Sequence, residues 1–541
     1  MNVRASIVLG ATIAAATLGA CGDDDRPIGG TDASVRDGGG TDARTDAATP
    51  ICAAGSRRCD SARPSTIQTC PDGTGWIDET TCDLAAGEVC SVGECVEIHR
   101  TPACTEDADD RSYIGCELWG TTLVNAHASG ETFAITVANA SPFPVDVLVE
   151  GGALDAPVTT SIGVGALETI DLPWVDELAF AARASGGVLS WESGLVAGGA
   201  YRVRSSGPIT VVQFNPWTPA SSNDASSLLP ASALGDRYVV LSTIAQGMFR
   251  EWPASFAVVG VSEAATSVTV TRSAATAPGD GVPARAAGGT STHSLGRGDV
   301  LQILGATPMD DLSGTLVEAT GPVAVFSAHV CANFPGTACD HLEEQSYPLT
   351  AWGRSYVATT FGATEVVPFV VRIVAGDDAA TVSFDPVSVS MPIALAPYEH
   401  REIASMGQFA VTSDEPILVA EMVSGRGLGG EDPSMVYAIP TEQHRPHSII
   451  LAPDSYDENF VNLIGESGSA PTVDGAAVSV GGGAIGSSGL SVWRVPLTPG
   501  VHEIGAPESD AAFGIIAYGF EFAGSYAYAT GMNQRVINPP F

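Results

Sequence analysis

With 541 residues and 45% hydrophobic content, the chain exceeds what one hydrophobic core supports and is apolar enough to fold as several domains. Its formal net charge is −38, from 62 acidic and 24 basic residues, and it contains no lysine, so every basic residue is arginine. That balance repels phosphate backbones and argues against a nucleic-acid partner; beyond the N-terminus no run approaches the ~18 apolar residues of a membrane span.

Arg4 precedes an apolar run over 5–20 that is short for a span and ends in Leu18-Gly19-Ala20-Cys21. Small residues ahead of a cysteine resemble a bacterial lipobox. The resemblance implies removal of residues 1–20 as a signal peptide and lipidation of Cys21. The expectation is an exported protein whose partner at this end is the membrane, lipid-anchored to the outer membrane or cell surface. Residues 21–50 are rich in Gly, Asp, Thr and Ala. They read as a flexible tether with a reach of roughly 30 Å.

Without Cys21, ten cysteines remain, an even number that suits an exported disulfide protein. Residues 51–117 form a cysteine-rich module. Cys52, Cys59, Cys70, Cys82, Cys90 and Cys95 sit among glycines and few aliphatics, so disulfides must replace a core; the sequence does not choose their pairing. No CxxC is present, which disfavours zinc. Cys104 and Cys116 are expected to pair across an acidic loop. Its carboxylates leave weak Ca²⁺ binding open, although the EF-hand pattern is incomplete. No other cofactor is expected.

From 118 to 535 the texture is short Val-, Ile- and Thr-rich runs between Gly, Pro, Asn and Asp turns, which predicts an all-β fold. A segment recurs as YRVRSSGPITVVQF from Tyr201, TLVEATGPVAVFSA from Thr315 and QFAVTSDEPILVAE from Gln408. It reads as a hairpin with Pro208, Pro322 or Pro416 just before the second strand. LGDRYVV (234–240) and WGRSYV (352–357) mark corresponding starts. The fold class predicted is therefore about four tandem β-sandwich-like units, near 120–220, 230–345, 350–440 and 442–530, preceded by the small disulfide-rich module.

The densest stretch is GPVAVFSAHVCANFPGTACDHLEEQSYPLTAWG, 321–353. His329, Cys331, Cys339 and His341 could in principle close a zinc site, or a Cys–His pair could make a nucleophile. In an oxidising compartment Cys331 and Cys339 are expected to form a disulfide-closed loop instead. Asp340, His341, Glu343, Glu344 and Gln345 then form a candidate interaction loop. Paired carboxylates Asp377-Asp378 and Glu431-Asp432 read as solvated turns. Arg297-Gly298-Asp299 reads as the start of a strand. HExxH is absent, no GxSxG lies in a strand–turn–helix setting, and a Walker lysine is impossible, so no enzyme is expected.

Three stretches together carry a resemblance: the 321–353 segment, EDPSMVYAIPTEQ (431–443), and VHEI followed by FGIIAYGFEFAGSYAYATG (501–531). They resemble the IgGFc-binding protein N-terminal domain family, which is named from an animal mucus protein and has members among myxobacterial surface lipoproteins. The resemblance implies an extracellular β-rich binding or adhesion protein recognising a protein or polysaccharide; it does not imply IgG as ligand. The alternatives are a structural envelope lipoprotein without a ligand and a diverged secreted hydrolase.

Overall fold

The computed structural model describes residues 51–539 except 61–62, 106–110, 127–129, 186–187, 218–221, 247–250, 335–338, 363–368, 424–431, 507–509 and 522–523. Cys21, the 21–50 tether and Glu431 lie outside the described residues. The described chain is nearly all β, as expected, with only one-turn helices between strands.

The cysteine-rich module is a three-stranded sheet (Arg57–Asp60, Arg63–Thr69, Ile77–Thr81) and a hairpin, Glu88–Ser91 with Glu94–Glu97. Three disulfides cross it: Cys52–Cys70, Cys59–Cys90 and Cys82–Cys95. Cys104–Cys116 is a fourth. Val89 and Ile98 pack on Leu148 of the first sandwich, and Thr101 Oγ1 donates to Ser206 O at 2.8 Å.

Beyond the module one pairing graph occurs four times. In the first copy, one sheet runs Gly115–Thr121, the early half of Ala200–Phe214, Val145–Gly151, Val158–Ile162. The other runs Leu167–Leu172, Phe133–Asn139, the late half of Ala200–Phe214, Ala225–Ser227. The second copy repeats this around Leu316–Ala332 and ends in Asp340–Gln345. The third ends in Met435–Tyr437 and the fourth in Gly524–Thr530. One strand departs from its copy: Ser193–Val196, within the first span, pairs with Val300–Leu304 of the second.

The expected hairpins are not hairpins. Ala200–Phe214 and Leu316–Ala332 are single strands of 15 and 17 residues. Each serves one sheet with its first half and the other with its second; for the first, the register shifts between Arg204 and Ile209. Proline fits that bend because a strand changing sheets has no ladder bond to make there. In the third copy the strand does break, into Phe409–Ser413 and Ile417–Val423, but these lie in different sheets.

Phe369–Ala375 and Ile417–Val423 are buried along their whole length. Val371, Ile373 and Val419 face their own sandwich core, while Val370, Val374, Leu418 and Ala420 face a second core shared by all four copies. Burial on both faces explains why these strands read as continuous apolar runs.

The four last strands of the copies close a cycle. Ala225–Ser227 touches Asp340–Gln345 and Gly524–Thr530, and Met435–Tyr437 touches the same two. Between copies the chain turns through a proline and a 3₁₀ turn: Pro230 with Ala231–Ala233, Pro348 with Leu349–Ala351, Pro440 with Thr441–Gln443. Gly115, Gly235 and Gly353, at or just before the first strand of a copy, pack on Pro230, Pro348 and Pro440 respectively. At Gly235 a Cβ would stand 2.6 Å from Pro348 Cβ, and the other two sites are tighter. Tyr238 and Tyr356 repeat a second device, each hydroxyl accepting the N–H three residues earlier and donating to the carbonyl just after the proline at the sheet change, Val323 or Ile417. The C-terminal segment returns to the beginning: Tyr113 N–H donates to Met532 O at 3.2 Å and Gln534 N–H to Arg111 O at 2.8 Å.

Candidate functional site

The segment expected as an exposed loop is the buried strand Asp340–Gln345. Asp340, His341 and Glu343 are fully buried, Glu344 is 2% exposed and Gln345 1%. This corrects the expectation. Five polar residues in six read locally as surface, but here they face polar groups contributed from other copies. Asp432, expected in a solvated turn, is 3% exposed in the same centre.

Asp224 is the middle of that centre. Its Oδ1 accepts the N–H of Ala225 at 3.0 Å and of Ala527 at 3.4 Å. Its Oδ2 accepts the N–H of Met435 at 3.0 Å and of Glu343 at 3.2 Å. One carboxylate thus takes a main-chain donor from each of the four copies. Burial, with the Glu343 carboxylate adding to it, pushes Asp224 well above the usual carboxylate range against the pull of those donors.

The neighbours repeat the pattern. Gln213 and Asn215 donate to Glu343 Oε1 and Oε2 at 2.9 and 3.1 Å, and His341 Nε2 lies 3.1 Å from Asn215 Nδ2. Glu344 accepts the N–H of Ala529 and Tyr437, from the fourth and third copies; burial and then Asp224 push its carboxyl up. Asp340 accepts from Ser222 and the Asn223 N–H, and burial followed by Asp432 and Asp224 raises it likewise. Gln345 Oε1 accepts from Leu229 N–H, and Ser226 Oγ accepts Gln345 N–H at 2.7 Å. Buried carboxylates and amides here satisfy backbone groups that cross-copy contacts leave without a ladder partner. The chemistry is that of assembly. Among the described residues no group of three or more His, Cys, Asp or Glu is placed to hold a metal ion.

The cysteines beside this strand are bonded, Cys331 to Cys339. His329, two residues before Cys331, accepts the Cys331 N–H at 3.1 Å, and burial holds its imidazole neutral, down at about 3. Arg297-Gly298-Asp299 is a turn closed on itself: Arg297 pairs with Glu263, and Asp299 accepts the N–H of Gly296 and Gly198. Asp377 is taken by Arg237 at 2.7 Å.

Among the buried charged residues that escape a sequence reading are Asp224, Glu421 and Arg372. Glu421 accepts the N–H and Oγ1 of Thr359, and burial raises it to about 8. Arg372 pairs with Asp311 at 2.5 Å and lies against Ser242 O. A recurrence did exist for part of the centre. Asp340 and Asp432 each stand eight residues before a linker proline, with Ser222 in the same place before Pro230. Asp224 is offset by two and breaks it.

An open concavity lies elsewhere, in the fourth copy where it meets Ser355 of the third. It encloses about 1250 Å³ and is lined by Glu442, His444, Ser467, Thr472, Ser488 and Asp510 among others. Burial lowers His444 to about 4.

The family model described as IgGFc binding protein matches residues 224–519. The human (Homo sapiens) protein named IgGFc-binding protein is 27% identical over 318 residues, which make up 58% of this chain and 6% of that protein. The chain therefore spans a small fraction of that relative's length. A solved chain of a bacterial ice-binding adhesin aligns at 9% identity over 55% of this chain and 97% of its own, with a TM-score of 0.10, an overlap too poor to carry any structural argument. The matched segment begins at the hub carboxylate itself, Asp224, and runs through the second, third and most of the fourth copy. Matched over more than half of its length, the chain belongs to the IgGFc-binding protein family.

Proposed function

We propose that the protein is a surface-displayed binding protein for an extracellular protein, with a polysaccharide as the other ligand class, held at the cell surface by a lipid on Cys21. Family membership carries this reading, because the family is one of binding proteins. Five disulfides suit an oxidising exterior. A closed, internally bonded β scaffold supplies rigid support for exposed connections, where recognition commonly resides. The buried 340–345 strand is unavailable to a partner, so contact falls on the outer sheet faces, the connections and the fourth-copy concavity. The relative's name refers to IgG Fc; immunoglobulin is one candidate among extracellular proteins. No catalytic step is assigned.

The test has two arms. The chain with Cys21→Ser, immobilised, is exposed to extracts of extracellular proteins and polysaccharides and to purified IgG Fc. Reproducible, saturable retention of a defined molecule is the expected result; consistent retention of nothing would favour a purely structural envelope role. Radiolabelled palmitate should enter the wild-type chain and not Cys21→Ser; label in both overturns the anchor.

A further inference from the structure

Other buried arginines have acids. Arg202 pairs with Glu117 at 2.8 Å, Arg204 with Glu150 at 3.0 Å, Arg372 with Asp311. Arg272 has none among the described residues, although it is only 2% exposed in a chain with 62 acidic residues. Its Nε donates to Thr276 Oγ1 at 3.0 Å and its Nη1 to Val270 O at 3.2 Å; its Nη2 has no partner.

The register says what shares its surroundings. Arg272 follows the strand Thr266–Thr271, whose alternation buries Thr266, Val268 and Val270. The same period places Arg272 on that inner side. On the paired strand Thr290–Leu295, Ser291 stands opposite Val270 and His293 opposite Val268. Ser291 Oγ lies 2.7 Å from His293 Nε2, and His293 is 7% exposed. Arg285, half-buried, comes from the connection between the two strands. Its Nε donates to Thr290 O at 3.1 Å and its Nη1 to Ala284 O at 3.0 Å. Burial and the Arg285 charge push Arg272 down to about 10. Burial, Arg272 and Arg285 together push His293 down. Among the described residues, the Arg272 and Arg285 guanidinium groups, the His293 imidazole and the Thr276 and Ser291 hydroxyls therefore lie at one end of the second sandwich, and no carboxylate acts on Arg272 or His293 there. A buried cation lacking a counter-charge is costly.

We propose that this end of the second sandwich is a site for a tetrahedral oxyanion, sulfate or phosphate, seated on Arg272 Nη2 and reached from the side of Arg285. Forked guanidinium donors match oxyanion geometry, and a divalent anion offsets both arginines. Ser291 supplies a hydroxyl donor and His293 a ring N–H when it carries a proton. The site is independent of the family's binding role. Its ligand can come from two sources, a free inorganic anion or the terminal ester of a sulfated or phosphorylated glycan.

The test uses the full chain. Sodium sulfate or phosphate is titrated against sodium chloride at constant ionic strength, with the melting temperature and calorimetric heat as readouts. The expected result is a saturable rise of several degrees and a measurable heat for the oxyanions alone. Arg272→Gln should abolish both. Since that buried variant could fail to fold, Arg285→Gln, altered at a half-exposed position, is the second: it should weaken binding at least tenfold with the unliganded melting temperature little changed. A glycan-sulfate monosaccharide binding as tightly as sulfate assigns the ester source, and binding of inorganic sulfate alone assigns a resident counter-ion; either supports the site. Absence of a saturable response beyond chloride in the wild-type chain, or an equal response in Arg285→Gln, overturns it.

Discussion

The carboxylate of Asp224 accepts the main-chain N–H of Met435 at 3.0 Å across 211 positions of sequence. With the donors at Ala225, Glu343 and Ala527, this one side chain ties together strands from all four copies. Asp224→Asn replaces two acceptors by one acceptor and a donor group, which then faces two main-chain donors. At about 1–3 kcal/mol for each buried group left unsatisfied, the variant should lose roughly 2–5 kcal/mol. Guanidinium denaturation should show the loss as a lower midpoint. An unchanged midpoint would mean that the hub contributes nothing to assembly.

Stability should fall as pH rises from 7 to 9. Glu421 is held near 8 by burial, above its ordinary 4.5, so between those values the folded chain keeps a proton that the unfolded chain releases. The stabilisation is complete below about pH 4.5 and is lost as pH climbs through about 8. At about 1.4 kcal/mol per pKa unit, its full span is on the order of 5 kcal/mol. Asp224, Asp340 and Glu344 are raised too and act in the same direction. Denaturation at pH 7 and 9 should show decreasing stability, with a shallower decline in Glu421→Gln, which keeps an acceptor for Thr359; below about pH 6.5 the buried neutral imidazoles of His329 and His444 act in the opposite direction. A flat profile, or an identical slope in the variant, would contradict this.

The glycines against the linker prolines are there for space. Gly235→Ala puts a methyl 2.6 Å from Pro348 Cβ, and Gly353→Ala one closer to Pro440. Overpacking of this kind costs about 1–3 kcal/mol. Each variant should therefore melt several degrees lower. Gly407→Ala, which has open space around it, should melt like the wild type.

The Cys331–Cys339 bridge closes a separation of 8 residues beside the central strand. By the loop-entropy relation, its removal through paired alanine substitution should cost about 2–3 kcal/mol. The fold should survive, because the strand is also held by Leu342 in the shared core and by bonds to Ser222, Asp224 and Ser226. Denaturation with and without the bridge measures the difference; complete unfolding would make the bridge, and not the polar centre, the main restraint.

Much of the architecture was legible because its signals are local. Alternating and continuous apolar runs mark strands, and Pro208, Pro322 and Pro416 mark the same place in successive copies. The continuity of Ala200–Phe214 was not legible, since a proline between two apolar runs suits a hairpin as well as a strand changing sheets. The burial of Asp340, His341, Glu343 and Glu344 was illegible for another reason. Their partners are Ser222, Asp224, Asn215, Tyr437 and Ala529, placed next to them only when four copies close on each other. Sequence alone weighs a polar hexapeptide against water, and here the comparison is with another copy's backbone.

The closed cycle also fixes how this protein can vary. A row of repeats open at both ends can gain or lose a member, because each contacts only its neighbours. Here the fourth closing strand returns to the first, and the oxygens of Asp224 are already shared among four donors. A fifth copy would have neither a gap to enter nor an acceptor at the centre, and deleting one would open the cycle and separate the Asp224 carboxylate from a main-chain donor. Copy number is thereby locked at four, and diversification is confined to the connections and outer faces, where a change of partner disturbs no closure.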